Sequence, residues 1–333
     1  MSQLSWGLAL LVLALGLTHL FTGALHLDAG EVCRALWEGP GPGLEASVVW
    51  KVRIPRILTA CGAGAGLALA GALMQTWFSN PLAGPSVLGV SSGASLGVAC
   101  MVLAGWGGGA AAWGGWPSAL IAAALGAGAV LGLLLLVSRR IQGPVTLLVF
   151  GLMLGYVVSA VMSVLQAQAD PNALQRFVLW GMGTFAAAPL PVALVLGAAA
   201  LGLVAWVRYR HRALDAWTLG PTVAESMGVE TGRLGWELLA ITGLVTGVVT
   251  AACGPVAFLG LATPHVARMF WKDGSHRAMN GPVAGLGMVL ALLADGLVRW
   301  PGGMEEALPL NAVLAMGGAP FVVWLTWKKT WEA

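Results

Sequence analysis

About ten stretches of this chain run for roughly twenty residues each with almost no charged side chain, the length an α-helix needs to cross the ~30 Å hydrocarbon core of a bilayer. They lie near 4–22, 55–77, 86–104, 118–137, 146–167, 188–207, 235–252, 256–271, 282–299 and 310–327. A backbone in lipid must satisfy its own polar groups, and a helix does so within one segment. The expected fold is therefore all-α and polytopic, with residues 1–333 forming a single transmembrane domain. Composition agrees: 58% of residues are hydrophobic and 9% charged, against about 25% charged in soluble globular proteins. The 48 glycines would weaken soluble helices, but between membrane helices small residues let backbones approach closely.

The first apolar run, Leu4–Phe21, has no basic segment before it and is read as a span, not a cleaved leader. Cations tend to stay on the cytoplasmic side. With the N-terminus cytoplasmic and the spans alternating, that side holds Arg139, Arg140, Arg208, Arg210, Arg212, Arg233, Arg268, Lys272, Arg277, Lys328 and Lys329. The outer side holds only Arg34, Lys51, Arg53, Arg56, Arg176 and Arg299. Both termini are thus expected in the cytoplasm. The net charge of +3 is too small to point to nucleic acid.

Gly84-Pro85-Ser86-Val87-Leu88-Gly89 is echoed by Gly254-Pro255-Val256-Ala257-Phe258-Leu259-Gly260, half a chain length later. An odd number of expected spans separates the two copies, so they would belong to halves of opposite topology. Such inverted repeats build many transporters, with broken helices near the midplane. The longest internal hydrophilic stretch, Arg208–Arg233, is expected on the cytoplasmic side. Within it Pro221 suits the first turn of a short helix and Gly228 its end. Val223, Ala224 and Met227 are expected to share one face. Residue pattern alone leaves two readings: a loop helix packed on its own bundle, or a docking surface for a cytoplasmic partner.

Three ordered blocks carry a family resemblance. The first is Arg53-Ile54-Pro55-Arg56, then Asn80-Pro81-Leu82-Ala83-Gly84-Pro85 and Leu88-Gly89-Val90-Ser91-Ser92-Gly93-Ala94. The second is the Gly254–Leu261 segment, followed by Pro264-His265-Val266-Ala267-Arg268 and His276-Arg277. The third is Leu293-Ala294-Asp295, Arg299, Leu308-Pro309-Leu310 and Gly317-Gly318-Ala319-Pro320. In these the chain resembles the permease subunits of binding-protein-dependent ABC importers for vitamin B12, haem and iron-siderophores, of the type II kind.

The resemblance implies ten spans per subunit, a homodimer with the translocation path at its axis, a cytoplasmic ATPase dimer and an extracytoplasmic binding protein, in a prokaryotic inner or plasma membrane. The chain has no GxxxxGK[ST] loop to cradle nucleotide phosphates, so ATP hydrolysis falls to another subunit. Carried over by position, Arg53, Arg56 and Arg299 would pair with acidic residues of the binding protein. Asn80 and Leu82 would form one cytoplasmic constriction and the loop around Pro144 and Val145 a second. This loop lacks the small hydroxyl residues of the better-known relative. Leu214–Gly232 matches the coupling helices that insert into the ATPase, which makes Leu214, Val223, Glu225, Met227 and Gly228 candidate contacts.

Other residues have plainer readings. Gln75, Ser86, Ser91, Ser92, Gln166 and Gln168 are expected to line a weakly binding path. His265 and Asp295, each near a basic residue at a span end, read as structural pairs; too few acids lie in the spans for a proton relay. Trp50, Trp113, Trp116, Trp180, Trp300, Trp324 and Trp327 fall near span ends, as an interfacial belt does. Cys33, Cys61, Cys100 and Cys253 are scattered and read as small hydrophobes. No catalytic residue, cofactor or metal site is expected. The rivals are an ion-gradient-driven secondary transporter, which would need no coupling loop, an intramembrane enzyme, which would need a catalytic motif that is missing, and a membrane scaffold.

Overall fold

A computed structural model describes residues 3–23, 25–103, 116–140, 143–271, 274–299 and 308–331. Among these residues every regular element is helical. α1 (Gln3–Phe21) leads to α2 (Ala29–Glu38) and α3 (Leu44–Val48), and a π-helical turn, Val49–Arg53, joins them to α4 (Ile54–Trp77). A 3-10 turn, Pro85–Leu88, precedes α5 (Val90–Val102), and α6 (Trp116–Ser138) and α7 (Pro144–Ala167) follow. Next come α8 (Pro171–Gly181), α9 (Leu190–Thr218) and α10 (Pro221–Ser226). α11 (Thr231–Cys253), α12 (Leu259–Phe270), α13 (His276–Val298) and α14 (Leu310–Trp331) complete the bundle.

Each expected stretch falls on a helix, but not every helix is a full span. Among the described residues six are long and apolar enough to cross a membrane: Leu44–Trp77, Pro117–Ser138, Pro144–Ala167, Leu190–Thr218, Thr231–Cys253 and His276–Val298. α1, α5 and α14 contribute shorter apolar segments. α12 has 12 residues, and at 1.5 Å each they reach only about 18 Å. The shortening has a local cause. Gly-Pro precedes both α5 and α12, and the backbone there leaves helical geometry. Gly89 takes φ +77° and lies against Gly151 and Gly155 of α7. Gly254 takes φ +74°, and even Phe258 is driven to φ +63°, rare for a bulky side chain.

α4 is the centre of the bundle: 78% of its most apolar window is buried, against 17% for α7. Its run of Gly and Ala from Ala60 to Gly71 explains this, because small side chains let neighbours close in on all sides. α4 packs on α12 and α13, and α11 packs on α5 and α6. Exchanging α4–α5–α6 with α11–α12–α13 maps one set of contacts onto the other, as an internal repeat requires. A small cap formed by α2, α3 and the π turn has its own apolar centre at Val32, Ala35 and Val49.

The aromatic belt needs correction. Trp324 and Trp327 are exposed, but Trp180 is buried beside Phe177. Trp50 is half-buried and donates to the Ala35 carbonyl at 2.9 Å. Trp113, Trp300, the side chain of Trp116 and Lys272 lie outside the described residues.

Candidate functional site

The sequence candidates gather at the two ends of the bundle. At one end the first turn of α4 meets the last turns of α1 and α13. Asp295 of α13 is 1% exposed. Arg56 grips its carboxylate, Nε lying 2.9 Å from both oxygens and Nη2 2.9 Å from Oδ1. Arg299, one turn further along, approaches Oδ2 at 3.6 Å and donates through Nη1 to the Thr22 carbonyl at 3.2 Å. His19 of α1 brings Nε2 to 3.3 Å from the same carboxylate. Two guanidinium groups share one carboxylate, so the cluster keeps a positive excess. The arginine side chains remain 17% and 20% exposed, enough to present an edge outward. The pairing read from the sequence for Asp295 is thus a four-residue network across three helices.

Arg53 differs. It is 5% exposed, and its Nη1 and Nη2 donate to the carbonyls of Leu20 at 2.5 Å and Leu25 at 2.7 Å. It fastens the chain leaving α1 and has no face left for a docking partner, so it drops out of the docking set.

At the other end α4 stops at Trp77, and Ser79 turns the chain with φ +46°. Asn80 caps this turn: its Oδ1 accepts from the Leu82 N–H at 2.9 Å. His265 of α12 donates through Nε2 to the Pro81 carbonyl at 2.7 Å, since a carbonyl can only accept. Leu82 is left 44% exposed, and Val145, following Pro144 in the first turn of α7, is 63% exposed. Beside this loop lies a cavity of about 400 Å³ of mixed lining, with Gln75, Thr76, Asn80, Arg268 and His276 beside Ala72, Met279 and Val283.

Two of the residues expected along a path sit between helices instead. Gln75 is buried, donating to the Leu261 carbonyl at 3.1 Å and accepting from Arg268 at 2.9 Å. Ser91 pairs with Thr250 at 3.1 Å. Ser86 and Gln168 are exposed, and Ser92 and Gln166 are half-buried.

The hydrophilic stretch after residue 207 is no loop at first. α9 continues unbroken through it to Thr218, because helical hydrogen bonding does not depend on apolar surroundings. Tertiary contacts hold the extension. Glu237 of α11 accepts from Arg210 Nε at 2.8 Å, Arg233 Nε at 3.0 Å and Trp206 Nε1 at 3.3 Å. Leu214, expected to touch the partner, is fully buried and supports the platform from beneath.

α10 then runs for six residues, from Pro221 in its first turn to a left-handed Gly228 at φ +82° just beyond its end. Ala224 faces the bundle and is 0% exposed, so it does not share a face with Val223 and Met227, which point outward at 41% and 62%. Glu225 accepts from Thr231 Oγ1 at 2.9 Å and steadies the turn. Leu219 adds a third outward apolar side chain at 65% exposure. It was not singled out from the sequence, although the 219, 223, 227 spacing of four is a helical-face signal. Exposed large apolar side chains gathered at one end of a bundle mark a contact surface, for a protein or for the membrane.

Comparison with known proteins follows from this geometry. The sequence profile of the FecCD transport family matches residues 10–328. The vitamin B12 import system permease protein BtuC of Salmonella typhimurium is 35% identical over 320 residues, covering 95% of this chain and 94% of that protein. The corresponding Salmonella typhi protein has the same values. Among solved structures, an inward-facing metal-chelate type ABC transporter superposes with a TM-score of 0.84 at 27% identity, covering 98% of this chain and all of the other. PsaBC from Streptococcus pneumoniae, at 14% identity and a TM-score of 0.51 over 81% of this chain and 89% of that one, shares the fold alone.

Proposed function

From membership of the FecCD transport family, to which this chain belongs, we infer that it is the membrane-spanning permease subunit of an ATP-driven importer of a metal-chelate nutrient. It is a transport component and not an enzyme. An importer permease of this kind works with an ATPase and a binding protein. The observation that carries the reading at residue level is the exposed Leu219, Val223 and Met227, on and beside the short, braced α10. A secondary transporter has no use for such a patch.

The finer assignments extend that reading. Two copies of the chain form the path at their common axis, and each α10 sits in a groove of one subunit of an ATPase dimer. The excess of Lys and Arg puts the Asn80 end, with both chain termini, in the cytoplasm of a prokaryotic cell and the Arg56 end outside its inner membrane. Arg56 and Arg299 then present a positive edge to carboxylates on the binding protein, fork geometry favouring such pairs. Leu82 and Val145, with Asn80 and Pro144 shaping their turns, narrow the cytoplasmic mouth. Closure of the ATPases on ATP moves the α10 helices, and the two permeases rock to open the path to one side at a time. The cargo class is cobalamin, haem or ferric siderophore.

The test is uptake in proteoliposomes holding the permease with its ATPase, with binding protein outside and labelled cobalamin, haem and a ferric siderophore in parallel. Uptake needs ATP and binding protein, and Val223→Asp with Met227→Asp abolishes both uptake and ATPase co-purification. Each substitution sets a charge into an apolar contact, and central interface contacts are worth about 2 kcal/mol or more each. Uptake driven by an ion gradient without ATP would overturn the reading.

A further inference from the structure

We propose that Trp77, clamped between Trp217 and α11, together with the chain Asp215–His276–Thr76, is the rigid link that carries movement of α10 to the loop 78–82. The link rests on the reading of α10 as the ATPase contact and of this loop as the cytoplasmic constriction, and it assigns residues that neither reading names.

The geometry joins the two places from both sides of α10. Trp217 lies in the last turn of α9, four positions before Pro221 starts α10. Trp77 is the last residue of α4, three positions before Asn80. Their rings stack with centroids 4.1 Å apart and planes 14° from parallel. Trp217 Nε1 also donates to the Trp77 carbonyl at 3.2 Å. That carbonyl belongs to the end of α4, where helix acceptors lack partners in their own helix, so the indole caps α4 as well as packing on it. On the far side of α10, α11 brings Gly235 against the Trp77 ring, so closely that a β-carbon there would strike it. Both flanks of α10 therefore grip the one side chain that ends α4.

A polar chain runs parallel to the stack. Asp215, two residues before Trp217, accepts at Oδ1 from the His276 backbone N–H at 2.9 Å and from its Nδ1 at 2.6 Å. The His276 Nε2 lies 3.0 Å from Thr76 Oγ1, one residue before Trp77. Two independent contacts, aromatic and polar, thus fix the end of α9 to the end of α4. Both tryptophans are at most 8% exposed, and packed interiors of this kind transmit displacement instead of absorbing it. A shift of α10 that moves the end of α9 therefore carries the turn at Ser79 and Asn80 with it unless the stack breaks.

The experiment compares Trp217→Leu with Trp217→Phe in the assembled transporter, reading substrate molecules imported per ATP hydrolysed. Both variants keep an apolar side chain in the site and leave part of the indole volume empty, but only phenylalanine stacks. Trp217→Leu keeps its ATPase and its hydrolysis while import per ATP falls about fivefold or more, the low end of coupling between linked sites. Trp217→Phe stays within about twofold of the parent, since the stack is retained and only the N–H donor is lost. Trp77→Leu gives the same defect, and the double variant is no worse than either single one, as residues acting as a unit require. An unchanged ratio in Trp217→Leu, additive defects, or import and hydrolysis falling in proportion would overturn the link. These outcomes differ from failure of the importer reading, in which the parent protein itself would import without ATP.

Discussion

Replacing Asp295 by alanine is expected to destabilise the bundle by about 3–5 kcal/mol, the usual effect of removing one partner from a buried ion pair. Asp295 is 1% exposed, and Arg56 and Arg299 both direct guanidinium N–H groups at it from a mostly buried position. Without the carboxylate, two cations and a nearby imidazole face one another in a largely buried setting. Pairing does not make the cluster strongly stabilising in itself, because desolvation offsets much of the attraction. What is expensive is breaking it. Asp295→Asn is therefore milder, since the amide oxygen still accepts from one arginine, and Arg56→Met added to Asp295→Asn recovers stability by removing a stranded charge. In detergent, thermal unfolding of Asp295→Ala should fall by roughly 5–10 °C. A midpoint within about 2 °C of the parent would mean that solvent or lipid headgroups compensate the arginines, and that the cluster does not clamp α1 to α4 and α13.

That network also marks where sequence reasoning stops. That the chain is a bundle of apolar helices was legible because lipid imposes an apolar composition, a property of a single stretch; which helices are long enough to cross was not. The helix breaks were legible as well, because Gly-Pro acts on the local backbone. Which arginine faces outward was not. Arg53 and Arg56 stand three residues apart and look alike in sequence, yet one binds carbonyls of the α1 exit and the other a carboxylate 239 positions away. Gln75 has the composition of a path residue, but its partners Leu261 and Arg268 come from α12, which only the folded bundle brings near. The polar segment after residue 207 looked like a loop because the signal for a membrane helix ends there, although the helix does not. Patterning predicts the solvent of a segment better than its neighbours.

Gly71→Leu is expected to abolish the folded bundle and Gly71→Ala to destabilise it at or above the upper end of the ~1–3 kcal/mol typical of overpacking. A β-carbon on Gly71 would overlap the carbonyl of Gly260, and Gly260 in turn lies against the Pro85 ring and the Leu67 carbonyl. The obstacles around Gly71 are backbone atoms, so no rotamer change can relieve them, and α4 and α12 must separate. This is also where the two Gly-Pro breaks converge, Pro85 from one and Gly260 just after the other. Splaying it disturbs both halves of the repeat at once. Membrane helices gain little from hydrophobic exclusion and depend on close packing for their association, so a lost contact here has no ready substitute. Gly202 supplies the control, as nothing lies within 4 Å of where its β-carbon would be. Gly202→Ala should match or slightly exceed the parent in thermal stability, alanine being the better helix former by about 1 kcal/mol. If Gly71→Leu yields a monodisperse protein as stable as Gly202→Leu, then α4 and α12 do not meet as closely as described. If it fails while Gly202→Leu survives, the α4–α12 crossing is the contact on which the fold, and any movement through it, depends.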